Sequence, residues 1–175
     1  MTNALQQGEL RVVLSLGSNL GDRAGEIRAA VTEIADTPDV RLLGVSHLVE
    51  SAALKVHGTD ERAPRYLNAV VIVATSLEPH ALLHQLARIE NAHGRVRDER
   101  WGDRTLDIDI VDYDGRVLHD DRLTLPHPRA HERAFVLAPW LQLDPTAQLV
   151  QHGSVADLLT VVSDVVQPWP NGASS

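Results

Sequence analysis

Apolar residues along this chain recur with a period of two, then of about 3.6, in the order strand, helix, strand, strand, helix, strand. That order predicts an α+β fold: a ferredoxin-like sandwich whose central antiparallel sheet carries packed helices, with a C-terminal extension. Two further observations fit it. At 175 residues the chain is long enough for one domain with its own core, and 43% hydrophobic with 23% charged residues is ordinary for a globular protein. The expected domain runs over 1–175, with loosely held ends near 1–8 and 168–175.

Leu10 to Leu16 is apolar and β-branched and predicts the first strand. Gly17-Ser18-Asn19-Leu20-Gly21-Asp22 breaks it, and Ile27, Ala30, Val31 and Ile34 then recur at helical spacing. Neither Gly-x-Gly-x-x-Gly nor a P-loop lysine motif is present, so the break reads as a tight turn capped by Asn19 or Asp22. Pro38 ends the helix, and Val40 to Ser51 alternates as a second strand. The polar stretch from Lys55 to Arg65, with Gly58 and Pro64, reads as a mobile loop. Leu67 to Thr75 is apolar nearly throughout, which places it centrally in the sheet. Pro79 suits the first turn of a second helix, with Leu82, Leu83, Leu86 and Ile89 on one face and Gly94 ending it. Thr105 to Val111 alternates again. Asp114-Gly115 then reads as a hairpin turn into Arg116 to Leu118, and Leu123 to Leu125 is short and extended. Short helices are expected from Ala130 to Ala138, stopped by Pro139, and from Val155 to Val162.

Net charge of −8 argues against general binding to nucleic acid, whose sequence-independent affinity comes from a basic surface. Zero cysteines exclude a disulfide scaffold and a thiolate metal site. The chain start has no charged-then-apolar leader pattern and the longest apolar run, Ala69 to Ala74, cannot span a bilayer, so a cytoplasmic protein with no membrane partner is expected.

Residues 94 to 109 carry the chemistry. Arg95, Arg97, Arg100 and Arg104 crowd a segment containing Gly94 and Gly102, and Asp107 and Asp109 follow on the strand. Period two puts Leu106, Ile108 and Ile110 on one face and both aspartates on the other, with α-carbons roughly 6.6 Å apart at the usual strand rise. Two carboxylates so placed can converge on a divalent ion or a close pair of ions, and guanidinium groups grip phosphate oxygens. Together they read as a place for a polyphosphate with Mg²⁺. Alternating acids on a strand are also found on plain solvated faces; here Asp98, Glu99 and Asp103 already lie among the arginines as nearer ion-pair partners.

His80 and His84 stand four apart on a helix, but the glutamate of His-Glu-x-x-His is absent. His127, held between two prolines and lying between Arg122 and Arg133, is open to a phosphate contact or to a plain turn role. Tyr66, Trp101 and Phe135 supply aromatic faces for a flat heterocycle, and Asn68 shares a strand face with Tyr66 and could bond such a ring's edge. Tyr66 and Phe135 as ordinary core residues is the alternative.

The set Leu14-Ser15-Leu16-Gly17-Ser18-Asn19-Leu20-Gly21-Asp22-Arg23, Tyr66-Leu67-Asn68-Ala69, Gly94-Arg95-Val96-Arg97, Arg100-Trp101-Gly102, Arg104-Thr105-Leu106-Asp107-Ile108-Asp109 and Arg122-Leu123-Thr124-Leu125-Pro126-His127-Pro128 resembles, in order and spacing, the 6-hydroxymethyl-7,8-dihydropterin pyrophosphokinases of folate biosynthesis. The resemblance implies a ferredoxin-like monomer that transfers the terminal pyrophosphate of ATP to the pterin hydroxymethyl oxygen and releases AMP. It implies that Asp107 and Asp109 bridge two Mg²⁺ ions while Arg95 and Arg104 hold the polyphosphate. ATP would further meet Glu90, Arg97, Arg100, Ile110, Arg122, Leu123, Thr124, His127 and Arg133. The pterin, 6-hydroxymethyl-7,8-dihydropterin, would meet Ser51, Ala52, Leu54, Tyr66, Asn68, Trp101 and Phe135.

The chain departs from that pattern in three places. Asp103 stands where the family usually has proline, adding a charge beside the arginines. Ala52-Ala53-Leu54-Lys55 replaces Pro-Pro-Leu-Gly, and Pro128 replaces a tyrosine found in some members. Two other functions share parts of the signal: a nucleotidyl transferase on a similar scaffold, which would release pyrophosphate, and a binding module with no turnover.

Overall fold

Strand β1 (Leu10–Ser18) buries Val12, Leu14 and Leu16 on one face and Val13 on the other, so it lies in the middle of a sheet covered on both sides. The computed structural model describes residues 4–55, 58–60, 65–94 and 105–170. After β1 come α1 (Arg23–Ala35), β2 (Val40–Val45), β3 (Val49–Ser51), the short pair β4 (Ala53–Lys55) and β5 (Gly58–Asp60), then β6 (Tyr66–Thr75) and α2 (Pro79–Ala92). β7 (Asp107–Tyr113) follows, then β8 (Leu118–His119), β9 (Thr124–Leu125), a 3₁₀ turn (Ala130–Glu132) and α3 (Ala134–Leu143). The chain closes with β10 (Gln148–Leu149), β11 (Gly153–Ser154), α4 (Val155–Val161) and β12 (Val166–Pro168).

The main sheet runs β12-β3-β6-β1-β7, with β2 also paired to β6, and every pairing is antiparallel. Taking β2 and β3 as two halves of one interrupted strand, the order β7-β1-β6-β2 with two crossover helices is the ferredoxin-like arrangement the element order predicts.

Each face has its own core. Ile27, Ala30 and Ile34 of α1 and Leu82, Leu86 and Ile89 of α2 pack on Val12, Leu14, Leu16, Ile108 and Ile110. The helices begin as their residues dictate: Asp22 accepts the Gly25 N–H at 3.0 Å, and Pro79 occupies the first turn, where no amide is needed. On the opposite face Val136, Leu137 and Trp140 of α3 with Val155 of α4 cover Val13, Val70, Ile72 and Val111. That second layer covers the Val13 end of β1; Ser15 and Gly17, further along the same face, lie in the rows that carry the aspartates.

Four expectations are corrected. Val40 to Ser51 is two strands, because the chain leaves the ladder at Ser46, whose hydroxyl instead accepts the Val70 N–H at 2.9 Å. The expected Lys55 to Arg65 loop is partly strand: Gly58–Asp60 lies within it and pairs with Ala53–Lys55, which runs into its start. Asp114 and Gly115 do turn, both with positive φ, but the chain then pairs β8 with β9 rather than back on β7. α3 starts later than expected and runs through Pro139, so that the Phe135 carbonyl lacks its i+4 donor while its apolar face keeps the helix packed. β12 was not expected at all.

Candidate active site

Register in the sheet assembles the site. Gly17 of β1 is paired with Asn68 of β6 on one side and Asp107 of β7 on the other; Ser15 is likewise paired with Val70 and Asp109. These positions share the face away from α1 and α2, and directly opposed side chains in such pairs lie about 5 Å apart at Cβ. Both aspartates therefore stand on that face, Asp107 in the Asn68 row and Asp109 in the next, as the alternation predicts, with Ile108 and Ile110 in the core beneath.

Gly17 keeps the floor between them low. A Cβ there would come within 3.2 Å of Asn68 Oδ1 and 3.8 Å of Tyr66 Cδ1. Its φ is not positive, so the glycine is needed for space rather than for backbone freedom. Asn68 is buried and oriented: its amide donates to Ser51 Oγ at 2.9 Å. Ala52 follows Ser51 at partial exposure, as does Tyr66 at the start of β6.

His127 and Arg133 approach the aspartates. The His127 backbone N–H donates to Val111 O at 2.9 Å, which pins the residue against β7. Its ring Nδ1 accepts the Arg129 N–H at 3.1 Å, so Nε2 carries the proton and points toward Asp109 Oδ2, 3.8 Å away. That gap exceeds a hydrogen bond and is the kind that one intervening oxygen can bridge. Burial, with Arg133 adding to it, lowers the His127 pKa to about 4, so the ring is neutral at pH 7. Arg133 is half-buried over the Phe135 ring, 5.5 Å from guanidinium carbon to centroid, and its Nε is buried with no hydrogen-bond partner. Burial pulls the Arg133 pKa down and Asp109 holds it up. A charged guanidinium short of a partner, next to two carboxylates, is poised for an anion that brings its own cation.

The remaining candidates are distributed unevenly. Glu90 is buried at the end of α2, where its Oε1 accepts the Ile108 N–H at 2.8 Å and so fastens the outer edge of β7. Ile110 and Leu123 are core side chains, so a nucleotide could meet little but their backbones. Thr124 Oγ1 lies 3.1 Å from His119 Nδ1, and Arg122 is exposed on the turn whose amides are held by Asp120 Oδ1. Arg95, Arg97, Arg100, Trp101 and Arg104, with the departure at Asp103, lie outside the described residues, as does the Leu54 side chain. His80 faces Asp120 at 2.9 Å.

Sequence reasoning missed Ser15, Gly17 and Arg129. Glycine inside a strand pattern was a usable signal for a close approach at Gly17; the other two depend on pairing and packing across the fold. Among the described residues no group of three or more histidines or acids could hold a metal by itself. Two carboxylates are instead a donor set that suits Mg²⁺, which takes one or two protein carboxylates and fills its shell with water and substrate phosphate.

Comparison with known proteins adds to this geometry. The family model described as 7,8-dihydro-6-hydroxymethylpterin-pyrophosphokinase matches residues 13–145. A 2-amino-4-hydroxy-6-hydroxymethyldihydropteridine pyrophosphokinase of Methylorubrum extorquens is 43% identical over 135 residues, 77% of this chain and 83% of that protein. The protein of the same name from Haemophilus influenzae is 36% identical over 151 residues, 86% and 92% of the two chains. Among solved structures, wild-type Plasmodium falciparum HPPK-DHPS with pteroate aligns at TM-score 0.66 and 14% identity, covering 91% of this chain and 43% of that one. This chain thus spans less than half of that solved chain, and the likeness is one of fold.

Proposed function

The chain belongs to the 7,8-dihydro-6-hydroxymethylpterin-pyrophosphokinase family, and from that premise we propose that it transfers the β,γ-diphosphate of ATP to the hydroxymethyl oxygen of 6-hydroxymethyl-7,8-dihydropterin, releasing AMP, with Mg²⁺ bound by Asp107 and Asp109. The observation that carries the reading is the row Asn68, Gly17, Asp107, which sets a buried amide suited to a heterocycle edge beside a carboxylate suited to a metal.

In balance, the hydroxymethyl oxygen bonds the β-phosphorus, the bond from that phosphorus to the α,β-bridging oxygen breaks, the bridging oxygen leaves on AMP and the hydroxyl proton passes to solvent water. Phosphoryl-type transfer runs through a loose transition state with charge spread over oxygens, so positioning and electrostatics dominate. Mg²⁺ ions, when bound, supply neutralisation of the bridging and terminal oxygens. The protein's own groups do the rest. Asn68, held by Ser51, hydrogen-bonds the pterin edge, and Tyr66 and Phe135 offer it faces. Gly17 leaves room for the hydroxymethyl arm to reach the Asp107 side. Neutral His127 donates its Nε2–H to a phosphate oxygen without adding charge, and Arg133 supplies the charge from a buried position where water competes little. Arg95 and Arg104 are assigned to the polyphosphate on the family pattern.

Incubating the purified chain with ATP, Mg²⁺ and the pterin and separating the nucleotides tests this. AMP in step with pterin consumption is the expected result; ADP alone, or no product, rejects the reading. Replacing Mg²⁺ with EDTA is expected to stop turnover.

A further inference from the structure

The last stretch of chain, beyond the residues the family model matches, reaches back to both walls of the site. Asp164 Oδ2 accepts the backbone N–H of Ala134 at 2.9 Å across thirty positions of sequence. Ala134 is the first residue of α3, only 2% exposed, and α3 has no side-chain cap from its own N-cap position, Arg133. Asp164 thus does from a distance what an Asp or Ser at the N-cap normally does locally, and its negative charge complements the helix start. The amide it holds lies between Arg133 and Phe135.

Two residues later the same segment joins the sheet. Val166 of β12 pairs with Ser51 of β3, and Ser51 is the residue that orients Asn68. The Trp169 N–H donates to Leu48 O at 3.0 Å, its ring lies under the Arg23 guanidinium at 5.0 Å, and Arg23 reaches Glu50 of β3 at 3.1 Å. A span of six residues therefore ties the helix start that bears Phe135 to the strand that bears Ser51.

We propose that Asp164 is a positioning residue for the diphosphate transfer: by capping α3 from the C-terminal segment it fixes Phe135 and Arg133 relative to Ser51 and Asn68, and so sets the affinity for the pterin. The proposal rests on the functional reading above. Losing the cap leaves a buried amide without its acceptor, and the first turn of α3 relaxes until it finds another. Chemistry at the aspartates continues, but the pterin is held less well.

The test is steady-state kinetics on the full chain. Asp164→Ala is expected to raise the KM for the pterin about tenfold while kcat changes less than about threefold. Asp164→Asn, which keeps an acceptor oxygen in place, is expected to restore most of that KM. Ser154→Ala is the control: it removes the cap of α4, where Ser154 Oγ accepts the Asp157 N–H at 3.3 Å, and is expected to lower melting temperature without moving KM. If Asp164→Ala does not fold, Asp164→Glu, which displaces the carboxylate by one methylene, carries the same expectation. An active wild type whose folded Asp164 variants keep the wild-type KM overturns the positioning role alone. A wild type that releases no AMP overturns the functional reading and this role with it.

Discussion

His93 and His127 are both largely buried, with side chains 9% and 19% exposed, yet their pKa values are pushed in opposite directions. His93, at the end of α2, has Nδ1 against Glu26 and Nε2 2.8 Å from Glu33, both on α1. Burial alone would lower its pKa, but the two carboxylates prevail and raise it, since only the imidazolium donates from both nitrogens. At His127 burial acts in the same sense, Arg133 adds to it, and the pKa falls to about 4. The difference separates the two layers. Between α1 and α2 the charge is matched and serves to clamp the frame. On the site face a guanidinium nitrogen is buried without a partner beside two carboxylates, a state that costs stability and that a charged ligand would relieve.

The largest effect that could break this contrast is at the aspartates. Asp107→Ala or Asp109→Ala is expected to cut turnover by at least about a hundredfold while the melting temperature shifts little, because both side chains lie off the core. Unfolding instead would make them structural, like Glu26 and Glu33. Next comes Arg133→Met, expected to lower kcat/KM by roughly tenfold or more and to hold or raise the melting temperature, since it removes a buried cation that lacks a full set of partners. A fall in both would place Arg133 with the matched charges.

The two histidines give a subtler comparison. His93, with a raised pKa, contributes stability that is fully present below about 6.5 and is lost as pH rises through its folded-state value. His127, with a depressed pKa, contributes stability that is present above about 6.5 and is lost as pH falls toward about 4. NMR titration of the ring C–H resonances should show His93 still charged at pH 6.5 and His127 already neutral at pH 5. His93→Gln is expected to cost about 1–2 kcal/mol at pH 6 and less at pH 9. The smallest effect is at Asp112, a buried carboxylate at the far end of β7 whose pKa burial raises against the Gly115 amide that lowers it. Its contribution is present below about 3.8 and is lost as pH rises, so Asp112→Asn should raise stability at pH 7 and leave it unchanged at pH 3, read by thermal melts.

Much of this was legible because it is local. The alternation from Thr105 to Val111 places Asp107 and Asp109 off the core face from sequence alone, and Pro79 with Gly94 bounds α2. What period and turn chemistry cannot see is contact over long separations. Asp164 capping Ala134, β12 pairing with β3, and Gly17 lying between Asn68 and Asp107 are set by the topology of the sheet and leave no periodic trace. Glu90 shows the reverse: its family position suggests the nucleotide, while its buried hydrogen bond to Ile108 shows a carboxylate also holding the edge of β7.

On this reading the site moves a diphosphate rather than a single phosphate or a nucleotidyl group. ATP radiolabelled at the β-phosphate, incubated with the chain, Mg²⁺ and 6-hydroxymethyl-7,8-dihydropterin, should deliver all of the transferred label to the pterin product and leave AMP unlabelled. Label appearing in ADP, or in free pyrophosphate with the pterin unlabelled, would contradict it.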